Sequence, residues 1–362
     1  MNISVEKLLK IRLAFGPGSL KGYDTFLKLS EGSPIPDGVK SKLDKVNDSE
    51  ISDIINKSRD NGISIIPITS SDYPSVLRNI SDPPLILFVK GSLPDFDLLP
   101  TITVVGPRKV SEFGEKAAYS LSMRLSKAGF TVVSGAALGA DTASLKGALN
   151  GKGIPVGVLG CGICYDYLPE NRSLRNKIAE RGCLISEYPP FAQTSRFGFP
   201  IRNRIMSALS HATVVVEAGI KSGALITARN AIEQGKDVFV IPGNPTDEKY
   251  KGSNALLRDG AAPLLDASDV FNLFLPRFAE KIDIENAFRA KNETNSKKTL
   301  KKTISGLSND ANILYNNIIN NKFTADDFLS TGISGERILS ALTELEISGL
   351  IKSLPGGIYE VV

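Results

Sequence analysis

The chain has 362 residues, of which 42% are hydrophobic and 23% are charged. At about 150 residues per domain this length predicts two or three domains, and the ordinary composition excludes a disordered, collagen-like or membrane-spanning chain. The net charge of +4 permits a basic face without requiring one. Near the N-terminus Glu and Lys are mixed into the apolar residues before Gly16-Pro17, unlike a signal peptide or membrane helix, so we expect a cytoplasmic protein.

Residues 1–70 have the pattern of short helices joined by Gly, Pro and Ser turns, which predicts a small helical module. The turn GPGS at 16–19 is similar to the hairpin of helix-hairpin-helix modules, whose backbone amides hold a phosphate. Ordinary packing of this turn is the alternative that we favour, because a single turn is a weak signal.

Residues 71–275 alternate short apolar runs, closed by Gly, Pro or Ser, with amphipathic helical stretches. Strands that are apolar at nearly every position belong to parallel sheets covered on both faces. We therefore predict an α/β fold, a doubly wound Rossmann-like domain over 71–275.

The remainder of the chain divides into two predicted segments. Residues 276–305 are polar and rich in Lys, which predicts a basic linker. Residues 306–362 show three helical patterns, a strand, a Pro-Gly-Gly turn and a closing strand, the order of a winged helix.

Ligands of open α/β sheets bind at the carboxyl ends of the strands, so the residues that follow each strand are the candidate binding residues. Small residues there allow close approach of a ligand, and helix N-termini offer free amides to an anion such as phosphate. The candidates from these positions are Gly106, Arg108, Ser134, Gly135, Asp141, Lys221, Ser222, Gly223 and Gly243.

Signatures of nucleotide-dependent catalysis are missing from the sequence. We find no P-loop motif and no dinucleotide-binding glycine motif, and the single histidine, His211, favours a loop or cap role over that of a general base. Three cysteines and one histidine do not make a spaced zinc site, and we expect Cys161 and Cys164 to pack a strand end. We therefore predict no metal, no cofactor and no catalytic residue, although Asp141 and Glu217 could form a carboxylate pair if they meet.

The segment 195–210, SRFGFPIRNRIMSALS, mixes basic and aromatic residues immediately before a helix. Guanidinium groups pair with phosphate oxygens, and a phenylalanine ring offers a stacking face to a base, a combination suited to single-stranded nucleic acid. Core packing and solvated or paired arginines are an equally good interpretation. The residues concerned are Arg196, Phe197, Phe199, Arg202, Asn203 and Arg204.

Several motifs in this order closely resemble the DNA-processing protein DprA (Smf) family. They are VVSGAALGADTASLKGAL, LGCGICYDYLPENRSL, GCLISEYPP, GFPIRNRIMSALS, the run from VVVEAG to VIPGN, and KGSNALLRDGA. The resemblance covers about residues 70–275. It implies a protein that binds and protects single-stranded DNA, forms a homodimer through the Rossmann domain and loads the RecA recombinase in natural transformation. It implies no enzymatic turnover, and we expect no membrane partner.

The resemblance also implies roles for particular residues. Arg108 matches the arginine of the family's Gly-Ser-Arg turn, Ser134 and Gly135 match a Ser-Gly turn, and Lys221 to Gly223 match a phosphate-facing loop. Arg196 and Phe199 lie where a basic residue and a base-contacting aromatic are expected. Arg202, Asn203 and Arg204 match an Arg-Asn-Arg signature that either contacts DNA or holds the pocket together.

The sequence also departs from the family pattern. Pro107 replaces the usual Ser, Leu138 the usual Arg and Ser144 the usual His, which removes polar groups from the site region. The predicted recognition helix of the winged helix carries Glu336, Glu344 and Glu346 against Arg337 alone, which disfavours duplex binding and favours protein contact or intramolecular packing.

Two alternatives to a DNA-binding mediator remain open at this point. One is a nucleotide-hydrolysing enzyme like the LOG-type phosphoribohydrolases, which normally carry a P-G-G-x-G-T-x-x-E loop where this chain has EAGIKSGALITA. The other is a nucleotide-sensing module with the winged helix as its output.

Overall fold

The computed structural model describes residues 3–193, 195, 197–288, 306–316, 318, 322–331, 333–354 and 357–361. The chain divides into two compact units, Met1–Phe288 and Arg289–Val362. Among the described residues, no helix combines the length and the apolar character needed to cross a membrane.

Four helices open the first unit: α1 (Val5–Phe15), α2 (Leu20–Ser30), α3 (Asp37–Asp44) and α4 (Asp48–Asp60). The side chains of Ser4, Ser19 and Asn47 accept hydrogen bonds from backbone N–H groups in the first turns of α1, α2 and α4, which sets where these helices begin. The apolar residues of α1 belong to the same buried cluster as strands of the sheet. The predicted helical module therefore forms, and it shares a core with the sheet.

The first unit contains one large sheet. Its strands are β1 (Ser64–Pro67), β2 (Ile86–Gly91), β3 (Thr101–Val105), β4 (Thr131–Ser134), β5 (Ile154–Leu159), β6 (Cys183–Ser186), β7 (Ala212–Val215), β8 (Asp237–Val240) and β9 (Ala262–Pro263). Within the described residues they lie in the order β1-β2-β6-β5-β4-β3-β7-β8-β9. The seven neighbouring strands β6-β5-β4-β3-β7-β8-β9 run parallel to one another. Strand β2 pairs antiparallel with both β1 and β6.

Helices cover both faces of this sheet: α5 (Ser75–Arg78), α6 (Glu112–Lys127), α7 (Ala140–Asn150), α8 (Arg172–Arg181), α9 (Gly198–Leu209), α10 (Ala224–Glu233) and α11 (Lys251–Arg258). Alternate residues of a strand face opposite sides. Accordingly Ile102 and Val104 of β3 enter one buried cluster while Val105 enters the other. The doubly wound Rossmann-like fold that the apolar strands predict is confirmed.

The sheet has a topological switch point between β3 and β7. The chain passes from β3 outward through β4, β5 and β6, and then crosses back to β7 on the other side of β3. The loops that follow β3 and β7 therefore diverge and leave a crevice at the carboxyl ends of these strands, where ligands of such sheets bind.

The end of the first unit differs from the predicted linker. Helix α12 (Ala267–Phe278) continues past residue 276, and α13 (Ile284–Phe288) follows it. The side chains of Phe278, Ile282 and Ala287 are buried against the sheet. Residues 276–288 are thus part of the first unit and not of a linker, because these apolar residues cover one face of the core. Residues 289–305, the rest of the predicted linker, lie outside the described residues.

The second unit contains a winged helix, as predicted. Its elements are α14 (Asn309–Asn316), β10 (Lys322–Thr324), a 3-10 helix (Ala325–Thr331), α15 (Gly335–Ile347), β11 (Ile351–Leu354) and β12 (Ile358–Val361). The strands form an antiparallel sheet in the order β10-β12-β11. Leu314, Phe328 and Leu342 lie in its buried core.

Three charged side chains of α15, the predicted recognition helix, bind within their own unit. A charged side chain held in this way is less available to DNA or to a partner. Arg337 donates two hydrogen bonds of 2.7 Å to Asp310, Glu344 accepts from the backbone N–H and hydroxyl of Ser308, and Glu346 accepts from the same two groups of Ser353. The intramolecular alternative therefore describes these three residues.

Candidate nucleic-acid interface

A cavity of about 610 Å³ lies at the switch point, at the carboxyl ends of β3 and β7. The size is in the range of pockets that hold small ligands or parts of larger ones. Nine of the candidate binding residues line it: Gly106, Arg108, Asp141, Phe199, Arg202, Asn203, Lys221, Ser222 and Gly223. The fold thus brings together predicted binding residues that are up to 117 positions apart in the chain.

The side chains of Arg108 and Phe199 are in direct contact at this cavity. The Arg108 guanidinium carbon lies 4.6 Å from the centre of the Phe199 ring, and the ring of Tyr167 packs against Phe199 with centres 5.2 Å apart. Arg108 is exposed and Phe199 is half-buried. A cation for phosphate and a ring for a base therefore lie side by side.

Helix α10 points its N-terminus at the same cavity. Lys221, Ser222 and Gly223 immediately precede its first residue, Ala224. The Ser222 hydroxyl accepts a hydrogen bond of 3.3 Å from the Ala224 N–H, and the Asn203 side chain donates to the Gly223 carbonyl at 3.4 Å. The exposed Lys221 and the positive end of the helix dipole both favour an anion here.

Asp141 and Arg202 form the buried wall of the cavity. Both are almost fully buried, and a Cβ at Gly135 would overlap the Arg202 guanidinium and lie 2.5 Å from an Asp141 oxygen. Burial raises the pKa of Asp141, opposed by the positive charge of Arg202, and burial lowers the pKa of Arg202. Gly135 is thus the residue type that lets this charged pair fit, and Arg202 also donates to the Val158 carbonyl.

Helix α9 explains why the Arg-Asn-Arg signature divides between two roles. Successive residues of a helix are rotated by about 100°, so Arg202 and Arg204 point in directions about 200° apart. Phe199, Arg202 and Asn203 share the face toward the cavity. Arg204 faces away, where it binds the carboxylates of Asp82 and Glu187 at 2.7 and 3.0 Å.

Three other predicted residues lie outside the lining of this cavity. The Ser134 hydroxyl donates to the Val104 carbonyl at 2.7 Å, which ties β4 to β3. Gly243 lies against the ring of Tyr250, which a Cβ at this position would overlap. Gly135 supports the charged pair described above, and Arg196 lies outside the described residues.

Two backbone amides, one at a helix N-terminus and one in the GPGS turn, bind carboxylates of this chain and are not open to a phosphate. Glu217 is fully buried. Its carboxylate accepts hydrogen bonds from the backbone N–H of Ser111 at 3.0 Å and from the Ser111 hydroxyl at 2.5 Å, and Ser111 lies at the N-terminus of α6. In the GPGS turn, the Gly18 N–H donates to Glu187 at 3.1 Å. The packing alternative for that turn is therefore correct, and the anion sites that stay accessible lie at Arg108 and α10.

Sequence reasoning missed two exposed lysines of the cavity. Lys109 directly follows Arg108, so an extension of the strand-end argument by one residue would have included it. Lys249 lies in the loop before α11, which carries no recognisable motif. These two lysines add positive charge to the rim of the cavity.

The family departures have distinct positions. Pro107 lines the cavity and its carbonyl accepts from the Ala140 N–H at 3.3 Å. Leu138 is 37% exposed, and Ser144 is fully buried with its hydroxyl donating to the Asp141 carbonyl at 3.0 Å. The Ser144 hydroxyl therefore forms a hydrogen bond within α7.

The histidine and the cysteines lie away from the cavity lining. His211 accepts a hydrogen bond from the Thr101 N–H at 3.3 Å, at the start of β3. Cys161 and Cys183 are buried and Cys164 is half-buried, all three as free thiols. Within the part of the chain that the structure describes, no cluster of three or more His, Cys, Asp or Glu side chains could hold a metal ion.

A family model described as DNA recombination-mediator protein A matches residues 64–275. The chain belongs to this family. The DNA processing protein DprA of Bacillus subtilis (strain 168) is 38% identical over 213 residues, which are 59% of this chain and 72% of that protein. Protein Smf of Escherichia coli (strain K12) is 31% identical over 302 residues, which are 81% of this chain and 76% of that protein. The resemblance to DprA and Smf drawn from the motifs is confirmed.

Two solved structures of the family are similar to this chain. DprA from Streptococcus pneumoniae aligns with a TM-score of 0.67 at 29% identity, covering 75% of this chain and 98% of that one. DprA from Helicobacter pylori, whose structure concerns a single-stranded DNA binding mode, aligns with a TM-score of 0.54 at 27% identity, covering 59% and 96%. Family membership places this chain among proteins of DNA processing and recombination.

Proposed function

We propose that this chain binds single-stranded DNA in the cavity at the carboxyl ends of β3 and β7. The observation that carries the proposal is the contact of Arg108 with Phe199, 4.6 Å apart, beside Lys221 at the N-terminus of α10. Cations hold the phosphates in this arrangement and the aromatic ring stacks on a base. A base must leave its duplex partner to stack there, so the site selects single strands.

The relatives support the same ligand. The Helicobacter pylori protein, to which this chain is similar over 59% of its length, has a described mode of single-stranded DNA binding. The two carboxylates of the cavity wall also fit a binding role, because Glu217 is held by Ser111 and Asp141 faces Arg202. On these grounds we assign the chain to binding without turnover and without a cofactor.

The wider role that we propose is protection of incoming DNA and loading of the RecA recombinase, in transformation or recombination. Its support is membership of the DNA recombination-mediator family. A homodimer through the Rossmann domain is part of the proposal. A groove of about 650 Å³ between α10 and α11 supports it, since at least half of its lining residues are apolar and both Ile220 and Ile232 in it are exposed.

Fluorescence anisotropy of labelled oligo-dT and of a matched duplex, at two salt concentrations, tests the site. Arg108→Ala removes a phosphate contact, so we expect weaker binding and a slope of log affinity against log salt that is shallower by about 0.7. Phe199→Ala removes about 1 to 3 kcal/mol of stacking. Phe199→Leu keeps much of the apolar volume and loses the ring, so it should behave like Phe199→Ala.

The exposed Arg59 of α4 provides the matched control, because it lies outside the lining of the cavity, on a helix that packs against the edge strand β1. The affinity and salt dependence of Arg59→Ala should equal those of the wild type. Absence of salt-sensitive binding to oligo-dT, or wild-type affinity in both Arg108→Ala and Phe199→Ala, contradicts the proposal. Release of free base from a nucleoside monophosphate would instead favour a hydrolase.

A further inference from the structure

Glu187 joins two parts of the chain that are far apart in sequence. It follows β6 and is 3% exposed. One carboxylate oxygen accepts from the Gly18 N–H at 3.1 Å and the other accepts from the Arg204 guanidinium at 3.0 Å. Its backbone carbonyl accepts from the Arg12 guanidinium at 3.0 Å. The helix α1 and the turn that follows it are thereby connected to α9.

The turn at 16–19 also packs directly on α9. Gly18 has a φ of +60°, and a Cβ at this position would lie 3.0 Å from the Ile201 side chain and 3.5 Å from the Arg204 guanidinium. A side chain at residue 18 would thus be strained and would press on α9. The turn is built for close approach of its backbone to this helix.

Arg204 has a second carboxylate partner. Asp82 accepts from its guanidinium at 2.7 Å, so the charge of this buried arginine is balanced from two sides. Burial lowers the pKa of Arg204, but the charges of Glu187 and Asp82 outweigh burial and raise it. The arginine is therefore a fixed cation, and its position follows that of the two carboxylates.

We infer that Glu187 is a positioning residue for the DNA site, which it serves by fixing α9 through Arg204 and the Gly18 amide. This inference rests on the proposed function, because α9 carries Phe199 on the face opposite Arg204. Removal of one partner from a buried ion pair leaves the other charge uncompensated, so the helix must shift or admit water. A shift of α9 changes the position of the Phe199 ring relative to Arg108, which now lies 4.6 Å from the ring centre.

The absence of tryptophan from the sequence gives this inference a direct probe. A Phe199→Trp substitution places a single tryptophan at the cavity, and its emission reports the surroundings of the ring without any DNA. We would introduce Glu187→Gln and Asp82→Asn into this tryptophan-bearing parent. Glu180→Gln, in the exposed part of α8, is the matched control. Oligo-dT affinity would be measured in parallel in proteins that retain Phe199.

At temperatures where circular dichroism shows folded protein, Glu187→Gln should shift the tryptophan emission from that of the parent and weaken oligo-dT binding about tenfold. Asp82→Asn should shift the emission in the same direction and weaken oligo-dT binding by about threefold, since Glu187 still binds Arg204. Glu180→Gln should leave both the emission and the affinity unchanged.

A folded Glu187→Gln protein with unchanged emission and affinity, including one that only melts earlier, overturns the inference. If Glu187→Gln does not fold, Asp82→Asn decides, and unchanged emission and affinity in that variant overturn it as well. Failure of the wild type to bind oligo-dT contradicts the proposed function, whereas the DNA-free emission of the introduced tryptophan still tests the role of Glu187.

Discussion

Arg108 and Phe199 show how much single residues reveal from sequence alone. Each follows from a local pattern, Arg108 from a small-residue turn after an apolar strand and Phe199 from a basic and aromatic run before a helix. Their contact at 4.6 Å depends on the fold, since 91 positions separate them. The role of Gly135 also depends on the fold, because this residue lies next to Asp141 and Arg202 only when α7, α9 and β4 pack together.

His211 predicts a measurable pH dependence of stability. Burial lowers its pKa to about 4, and the nearby charges of Arg277 and Lys236 contribute in the same direction. Its ring packs edge-on against Phe278, with centres 4.8 Å apart. An unfolded chain takes up this proton near pH 6.5 while the folded chain takes it up only near pH 4. The stability contributed by neutral His211 is therefore present above pH 6.5 and is lost as the pH falls toward 4.

The comparison that isolates this effect is wild type against His211→Asn, whose amide oxygen replaces the acceptor for the Thr101 N–H. Chemical denaturation at pH 7 and pH 4.5 should show an extra loss for the wild type of on the order of 2 kcal/mol. An equal loss in both proteins would show that His211 takes no part.

At the scale of elements, α9 and α12 illustrate what patterns predict and what they leave open. Helical spacing predicts α9, and its rotation of about 100° per residue separates Arg202 from Arg204. Only one of these two arginines points toward a ligand, and the choice depends on Asp82 and Glu187, which bind Arg204. No local sequence pattern identifies these two partners. In the same way, Phe278 extends α12 beyond the predicted boundary because a distant buried face of the sheet receives its ring.

Helix α15 carries a prediction about duplex DNA. Arg337 is the basic residue of this helix and is bound through two 2.7 Å hydrogen bonds to Asp310. Arg337→Ala should therefore change duplex affinity less than about twofold and leave its salt dependence unchanged, and the exposed Arg59→Ala serves as the comparison. A tenfold loss of duplex binding with a shallower salt slope would show that α15 contacts phosphates.

At the scale of the whole molecule, charge is unevenly distributed along the chain. Residues 306–362 contain seven acidic and three basic side chains, a net charge of −4, whereas the full chain has +4. Residues 1–305 therefore carry the positive charge that attracts a polyanion. The parallel sheet and the winged helix were predictable from apolar runs and turn residues, whereas the connection of Gly18 to Glu187 spans 169 positions and emerges only from the structure.

The most direct test of the central claim is to map where a single strand touches the protein. An oligo-dT carrying 4-thiothymidine would be cross-linked to the wild-type chain by light, and the modified peptides identified by mass spectrometry. Base stacking at the switch-point cavity predicts cross-links in the peptides that contain Phe199 and residues 106–109. Cross-links confined to residues 16–19 or to the winged helix would contradict it.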